Sequence, residues 1–177
     1  MYDAICVSFP STDGPLDRPS SSLQNKELDC PEKPKHLTHP VALLAHGYAA
    51  SKETLFLYGE ALAAAGFICY SVDQPGHGAS SREFTFMEAV QTLEAVAREV
   101  GAVDVFAGSS MGGFTGGEAV REGGMRPGLF VAIGSTPVLG DHAPPLIFLA
   151  GQFEEAFPPD LLKTRTDARL VGARSSG

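Results

Sequence analysis

DVFAGSSMGGF, residues 104–114, is the stretch on which the reading of this chain turns. An apolar run breaks into a serine framed by glycines, Gly108-Ser109-Ser110-Met111-Gly112. That is the spacing of a nucleophile on a sharp strand-to-helix turn. Glycines are required on either side because side chains there would collide with the neighbouring strand and helix. The turn leaves the Ser110 hydroxyl exposed at a helix N-terminus, where the dipole favours developing negative charge. A serine hydroxyl alone is a poor nucleophile and needs a base within hydrogen-bond reach, usually histidine. Neither a GxxxxGKS/T nor a GxGxxG pattern occurs, so a phosphate-binding loop is a poor reading of the same glycines.

The flanking sequence supplies the strands and helices that such a turn needs. VALLAH (41–46), FICYSV (67–72), VDVFAG (103–108), GLFVAIG (128–134) and PLIFLAG (145–151) are short apolar runs. They suit strands buried on both faces. Between the first two, Leu55, Tyr58, Leu62 and Ala65 recur at helical spacing, and Gly66 is placed to end the helix. Thr85-Phe86-Met87-Glu88 fits a capping box, with Phe86, Val90, Leu93, Ala97 and Val100 lining one helix face. The helix after Ser110 is terminated by Gly123-Gly124. A short helix over 160–166 and a strand-like ARLVG (168–172) close the chain.

Strands alternating with helices predict an α/β fold, a mostly parallel sheet with helices on both faces and right-handed crossovers. Residues 1–40 read differently. DAICVSF suits one strand, but Pro10, Pro15, Pro19, Pro31, Pro34 and Pro40 punctuate a polar stretch. That predicts surface loop with at most one more edge strand, near SLQNKEL. The organisation is thus an N-terminal strand and loop region, 1–40, leading into a core over 41–177, a single domain overall. Ten residues separate GLFVAIG from PLIFLAG, which leaves no room for a sizeable cap.

Composition narrows the function classes. A chain of 177 residues, 44% hydrophobic and 19% charged, suits one globular domain. A net charge of −8 argues against a nucleic-acid partner, which would need clustered Lys and Arg. Cys6, Cys30 and Cys69 form no CxxC pair, so neither a disulfide framework nor a zinc site is suggested. No apolar run approaches a membrane span, and the N-terminus lacks a basic segment followed by an apolar one. A cytoplasmic location is the expectation.

In an open parallel sheet, ligands gather at the carboxyl ends of the strands. Four stretches fall there: His46-Gly47-Tyr48, DQPGHGAS (73–80), the Ser110 turn, and GQFEE (151–155). Taken in order and spacing, AHGYAAS, DQPGHGAS and GSSMGG resemble the α/β-hydrolase superfamily, over residues 41–171. These motifs are specific for the fold and hardly at all for a substrate.

The resemblance implies that Ser110 is the nucleophile of a capless, serine esterase- or lipase-like enzyme cleaving an ester or related acyl bond. It places the backbone N–H groups of Met111 and Tyr48 in an oxyanion hole. His46, Asp73, Gly76, His77 and Gly78 take structural places in their turns. A serine at position 110 sets the chain apart from the dehalogenase and epoxide hydrolase branches, which carry aspartate there. The acid that orients the base should follow PLIFLAG: Glu154 is the candidate, with Glu155 and Asp160 as alternatives. No metal or organic cofactor is implied, and the partner is a small-molecule acyl or ester substrate. Loops 48–52 and 80–84 should wall an open pocket.

The base is harder to find. The family order is serine, acid, histidine, yet the histidines are His36, His39, His46, His77 and His142, and none follows the acid. Three readings compete. The fold is C-terminally incomplete, truncated before its catalytic histidine, which would expose apolar surface and favour a homo-oligomer. Alternatively His142, on the loop between the two late strands, serves as base. The third reading is a catalytically silent binding or scaffold protein that retains the hydrolase fold.

Overall fold

Val41–Ala45 (β2) is a run of five apolar residues, every one of them buried. A strand covered on both faces needs that composition, and β2 lies inside a seven-stranded sheet. The computed structural model describes residues 6–9, 39–151 and 168–173. Its other strands are Cys6–Phe9 (β1), Ile68–Val72 (β3), Val105–Ser109 (β4), Leu129–Ile133 (β5), Leu146–Gly151 (β6) and Ala168–Ala173 (β7). Their order is β1-β3-β2-β4-β5-β6-β7. All neighbours are parallel except β1, which runs antiparallel to β3 with Cys6 opposite Val72. DAICVSF therefore does contribute a strand, and it joins the same sheet as the core.

The helices divide between the two faces. A 3-10 turn, Lys52–Leu55, leads into Phe56–Ala64 (α1), and Phe86–Val100 (α2) and Met111–Arg121 (α3) follow. Because side chains alternate along a strand, Leu43 and Ala45 face one way and Ala42 and Leu44 the other. Leu43, Ala45, Phe106 and Phe130 pack with Val90 and Leu93 of α2 and Ala119 of α3. Ala42 packs with Ala63 of α1, and Leu44 with Leu55. The expected sheet with helices on both faces is the observed architecture. No helix among the described residues is long and apolar enough to cross a membrane.

Two helix faces differ from the expectation. In the first helix Leu55, Gly59 and Ala63 are buried, whereas Tyr58 and Ala65 are exposed. Leu55 belongs to the 3-10 turn, whose three residues per turn shift the phase of the α-helix that follows. In α2, Val90, Leu93 and Ala97 are buried as expected, but Phe86, the first helical residue, is 43% exposed. The cap itself is present: Thr85 Oγ1 accepts from the Glu88 N–H at 3.1 Å. The strand expected near SLQNKEL and the helix expected over 160–166 lie outside the described residues.

Candidate active site

β2, β3, β4 and β5 end in register, Ala45 beside Val72 and Gly108, and Ser109 beside Ile133. Their next residues therefore emerge together at one end of the sheet. From β2 the chain passes to β3 on one side and then to β4 on the other. The crevice at such a reversal is where ligands bind in open parallel sheets. His46-Gly47 and Ser110 border it.

Ser110 joins β4 to α3 with φ 46° and ψ −113°, one of two non-glycine residues of positive φ among those described. A serine held there costs on the order of 1–3 kcal/mol, and such strain clusters at functional sites. Its backbone is fixed by an N–H bond to the Ile133 carbonyl at 2.8 Å, and its side chain is exposed. The flanking glycines allow the tightness of the turn. A Cβ on Gly108 would stand 2.5 Å from the Gly112 carbonyl oxygen, and one on Gly112 would collide with the Ala45 carbonyl. Further along α3, side chains at Gly113 and Gly116 would meet Ser135 and the Phe106 ring. The small residues of GSSMGG thus let α3 lie directly on the strands.

Gly47 abuts the serine, for a Cβ added to it would lie 3.4 Å from Ser110 Cβ. Met111 opens α3, so its N–H is one of the donors that a helix start leaves without an intrahelical partner. Tyr48, the residue after Gly47, is 69% exposed. Its ring meets His77 edge-on at 5.1 Å and Phe84 at 5.7 Å, so loops 48–52 and 80–84 do touch beside the crevice.

Beneath these groups lies a buried polar network. The His46 ring accepts from the Gln74 N–H at Nε2 (3.0 Å) and donates from Nδ1 to the Gly47 carbonyl (2.7 Å). Those two bonds require the neutral ring with its proton on Nδ1. Burial, the largest influence, also holds the His46 pKa below its ordinary value. Both ring nitrogens are thus occupied, and His46 is no general base. Gln74 Nε2 donates to the His46 carbonyl at 2.7 Å, and Gln74 Oε1 accepts from Thr115 Oγ1 at 3.0 Å.

Asp73 is likewise structural. Its buried carboxylate accepts from the Lys52 N–H (2.8 Å), Lys52 Nζ (2.6 Å) and the Ala79 N–H (3.0 Å). Burial pulls the Lys52 pKa down, but hydrogen bonds and charge from Asp73 and Glu53 outweigh it, and the net shift is upward. Gly78 is needed because any Cβ there would run into the Asp73 carboxylate. The sequence placed Lys52 on the pocket wall; the structure turns it inward to pair with Asp73.

Among the expected site residues, the structure brings Ser110, Met111 and Tyr48 to one end of the sheet. Glu154, Glu155 and Asp160 lie outside the described residues. His142 stands at the other end. It lines a cavity of about 540 Å³ with Arg121, Met125, Arg126, Gly128 and Pro145. Phe130 donates to the Pro145 carbonyl and Gly128 to the Val103 carbonyl, bonds that mark the amino ends of β4, β5 and β6. The length of β4, about 16 Å at 3.3 Å per residue, separates this cavity from Ser110. Sequence reasoning missed the parts played by Gln74, Thr115 and Lys52. One signal was available for Thr115, a lone hydroxyl on a buried helix face otherwise made of glycine and apolar residues.

An open, mostly parallel sheet, covered on both faces, with a strained and exposed serine at its switch point fits the α/β-hydrolase architecture. The chain belongs to the alpha/beta hydrolase family, whose family model matches residues 42–175. Solved structures agree on the fold. Est1E from Butyrivibrio proteoclasticus, with ferulic acid bound, is similar at TM-score 0.69 and 14% identity over 96% of this chain and 85% of that one. A monoacylglycerol lipase from Paleococcus ferrophilus is similar at 0.67 and 16%, over 98% and 89%. An alpha/beta hydrolase from Sphaerobacter thermophilus is similar at 0.66 and 14%, over 78% and 86%. No curated protein matches the sequence significantly.

Proposed function

We propose that this protein is a serine hydrolase acting on an ester or related acyl bond of a small molecule. The observation that carries the reading is the backbone of Ser110, held at φ 46° on a glycine-packed turn at the switch point of the sheet. Strain of that kind has no structural use at a plain strand–helix junction. In this reading Ser110 Oγ attacks the acyl carbon while its proton passes to a histidine base oriented by Glu154. Neither His46 nor His142 is that base, and no histidine follows Glu154 in this sequence. The tetrahedral oxyanion is held by the Met111 and Tyr48 amides, each worth roughly 10²–10³ in rate. Collapse breaks the bond to the leaving alcohol, which departs with the proton, and water then releases the acid from Ser110. The esterase and lipase among the similar structures support the acyl class. The aromatic edge of Tyr48, His77 and Phe84 offers the substrate an apolar wall.

Covalent labelling with a fluorophosphonate probe tests the proposal, with Ser110→Ala as the control. Labelling that disappears in the variant is the expected result. A folded sample that is not labelled would overturn the enzyme reading and leave a binding protein of hydrolase fold.

A further inference from the structure

The two oxyanion donors proposed above sit on different elements, Tyr48 after β2 and Met111 at the start of α3. Something must fix their separation, because catalysis tolerates little displacement. One buried side chain links both. Gln74 is fully buried, and each of its polar atoms is committed. Its N–H holds the His46 ring, whose Nδ1 in turn holds the Gly47 carbonyl that precedes the Tyr48 amide. Its side-chain N–H holds the His46 carbonyl. Its Oε1 accepts from Thr115 Oγ1, a hydroxyl that also lies 3.1 Å from the Met111 carbonyl.

We infer that Gln74 is a positioning residue that clamps the 46–48 turn to α3 at Thr115, one turn after Met111, and so sets the spacing of the two amide donors. The inference rests on the reading of Tyr48 and Met111 as the oxyanion site. An apolar residue of similar size would fill the same space, so packing alone does not call for an amide here. A glutamine both donates to the His46 carbonyl and accepts from Thr115, and no aliphatic side chain can do either. Such fully satisfied buried networks rigidify a site.

Thr115→Val removes the hydroxyl at constant shape, Thr115→Ser restores it, and Gln74→Leu removes the bridge itself. Ester hydrolysis should show kcat lowered about tenfold to a hundredfold in Thr115→Val, with KM within about twofold of the parent. Thr115→Ser should recover most of the rate. A purely structural part would lower the urea midpoint and leave kcat of the folded protein unchanged, which would overturn the inference. The second readout needs no activity: amide resonances in nitrogen-15 NMR spectra of the same proteins. The Tyr48 amide should move in Thr115→Val and return in Thr115→Ser, through the hydrogen bonds that join residue 115 to Gln74 and Gln74 to His46. A Tyr48 resonance indifferent to Thr115→Val would sink the clamp. Absence of hydrolysis in the parent would count against the proposed function alone, and the resonances would still decide on Gln74.

Discussion

The Asp73 carboxylate and Lys52 Nζ lie 2.6 Å apart, the acid wholly shielded from solvent and the lysine side chain 9% exposed. The pair ties the turn after β3 to the 3-10 turn before α1. A buried carboxylate that loses its cation keeps the desolvation penalty without the compensating attraction, which typically costs roughly 3–5 kcal/mol. Lys52→Met should therefore lower stability by about that amount, read as a fall in the urea midpoint at constant slope. Adding Asp73→Asn should recover part of the loss, since no charge is then left buried alone.

The bond from the Gln74 N–H to His46 Nε2 exists only while the ring is neutral. Burial, ahead of every other influence, lowers the folded pKa of His46 below its ordinary value near 6.5. As pH falls through about 6.5 the unfolded chain therefore takes up this proton before the folded one does. The stabilising contribution is complete above that pH and is lost progressively below it, towards the folded pKa. Urea denaturation between pH 8 and 5 should show this slope in the parent. It should be shallower in His46→Gln, which cannot titrate.

The glycines of α3 are explained by contact and not by flexibility. Gly112→Ala would drive a methyl into the Ala45 and His46 carbonyls, and Gly116→Ala would drive one into the Phe106 ring. Backbone cannot give way as a side chain can. Gly112→Ala should thus be the more damaging, beyond the roughly 1–3 kcal/mol usual for overpacking. Gly66→Ala is the contrast, with nothing within 4 Å but a φ of 92°. It should cost only the strain of that conformation, about 1–3 kcal/mol, and leave the site unchanged.

Much of this arrangement was legible because its causes are local. Five consecutive apolar residues from Val41 mark a doubly covered strand, and glycines flanking Ser110 mark a turn too tight for side chains. The illegible parts depend on contacts between distant residues. Thr115 bonds Gln74 across 41 positions, and Lys52 meets Asp73 across 21. No spacing rule announces either. The misplaced face of the first helix has a smaller cause, since a 3-10 turn at 52–55 shifts the phase without changing the composition.

His142 and Ser110 occupy opposite ends of the parallel strands, so His142 is not within reach of the serine hydroxyl. His142→Ala should leave probe labelling of Ser110 within about twofold of the parent, a small effect expected of an exposed site remote from the reacting atoms. Loss of labelling in that variant, with the urea midpoint unchanged, would mean that the loop carrying it refolds to the carboxyl side in solution.

Ser110 itself should carry a measurable cost to the fold. At φ 46° and ψ −113° a Cβ is strained, and glycine alone adopts such a conformation freely. Ser110→Ala removes the hydroxyl and keeps the strain, whereas Ser110→Gly removes both. Glycine gives back roughly 0.5–1 kcal/mol through the greater freedom of its unfolded chain. Against relief of about 1–3 kcal/mol, Ser110→Gly should still be the more stable variant, by about 1 kcal/mol. Denaturation of the two side by side measures the difference, and neither should react with the probe. Equal stabilities would mean that the turn relaxes in solution, removing the observation on which the nucleophile reading stands.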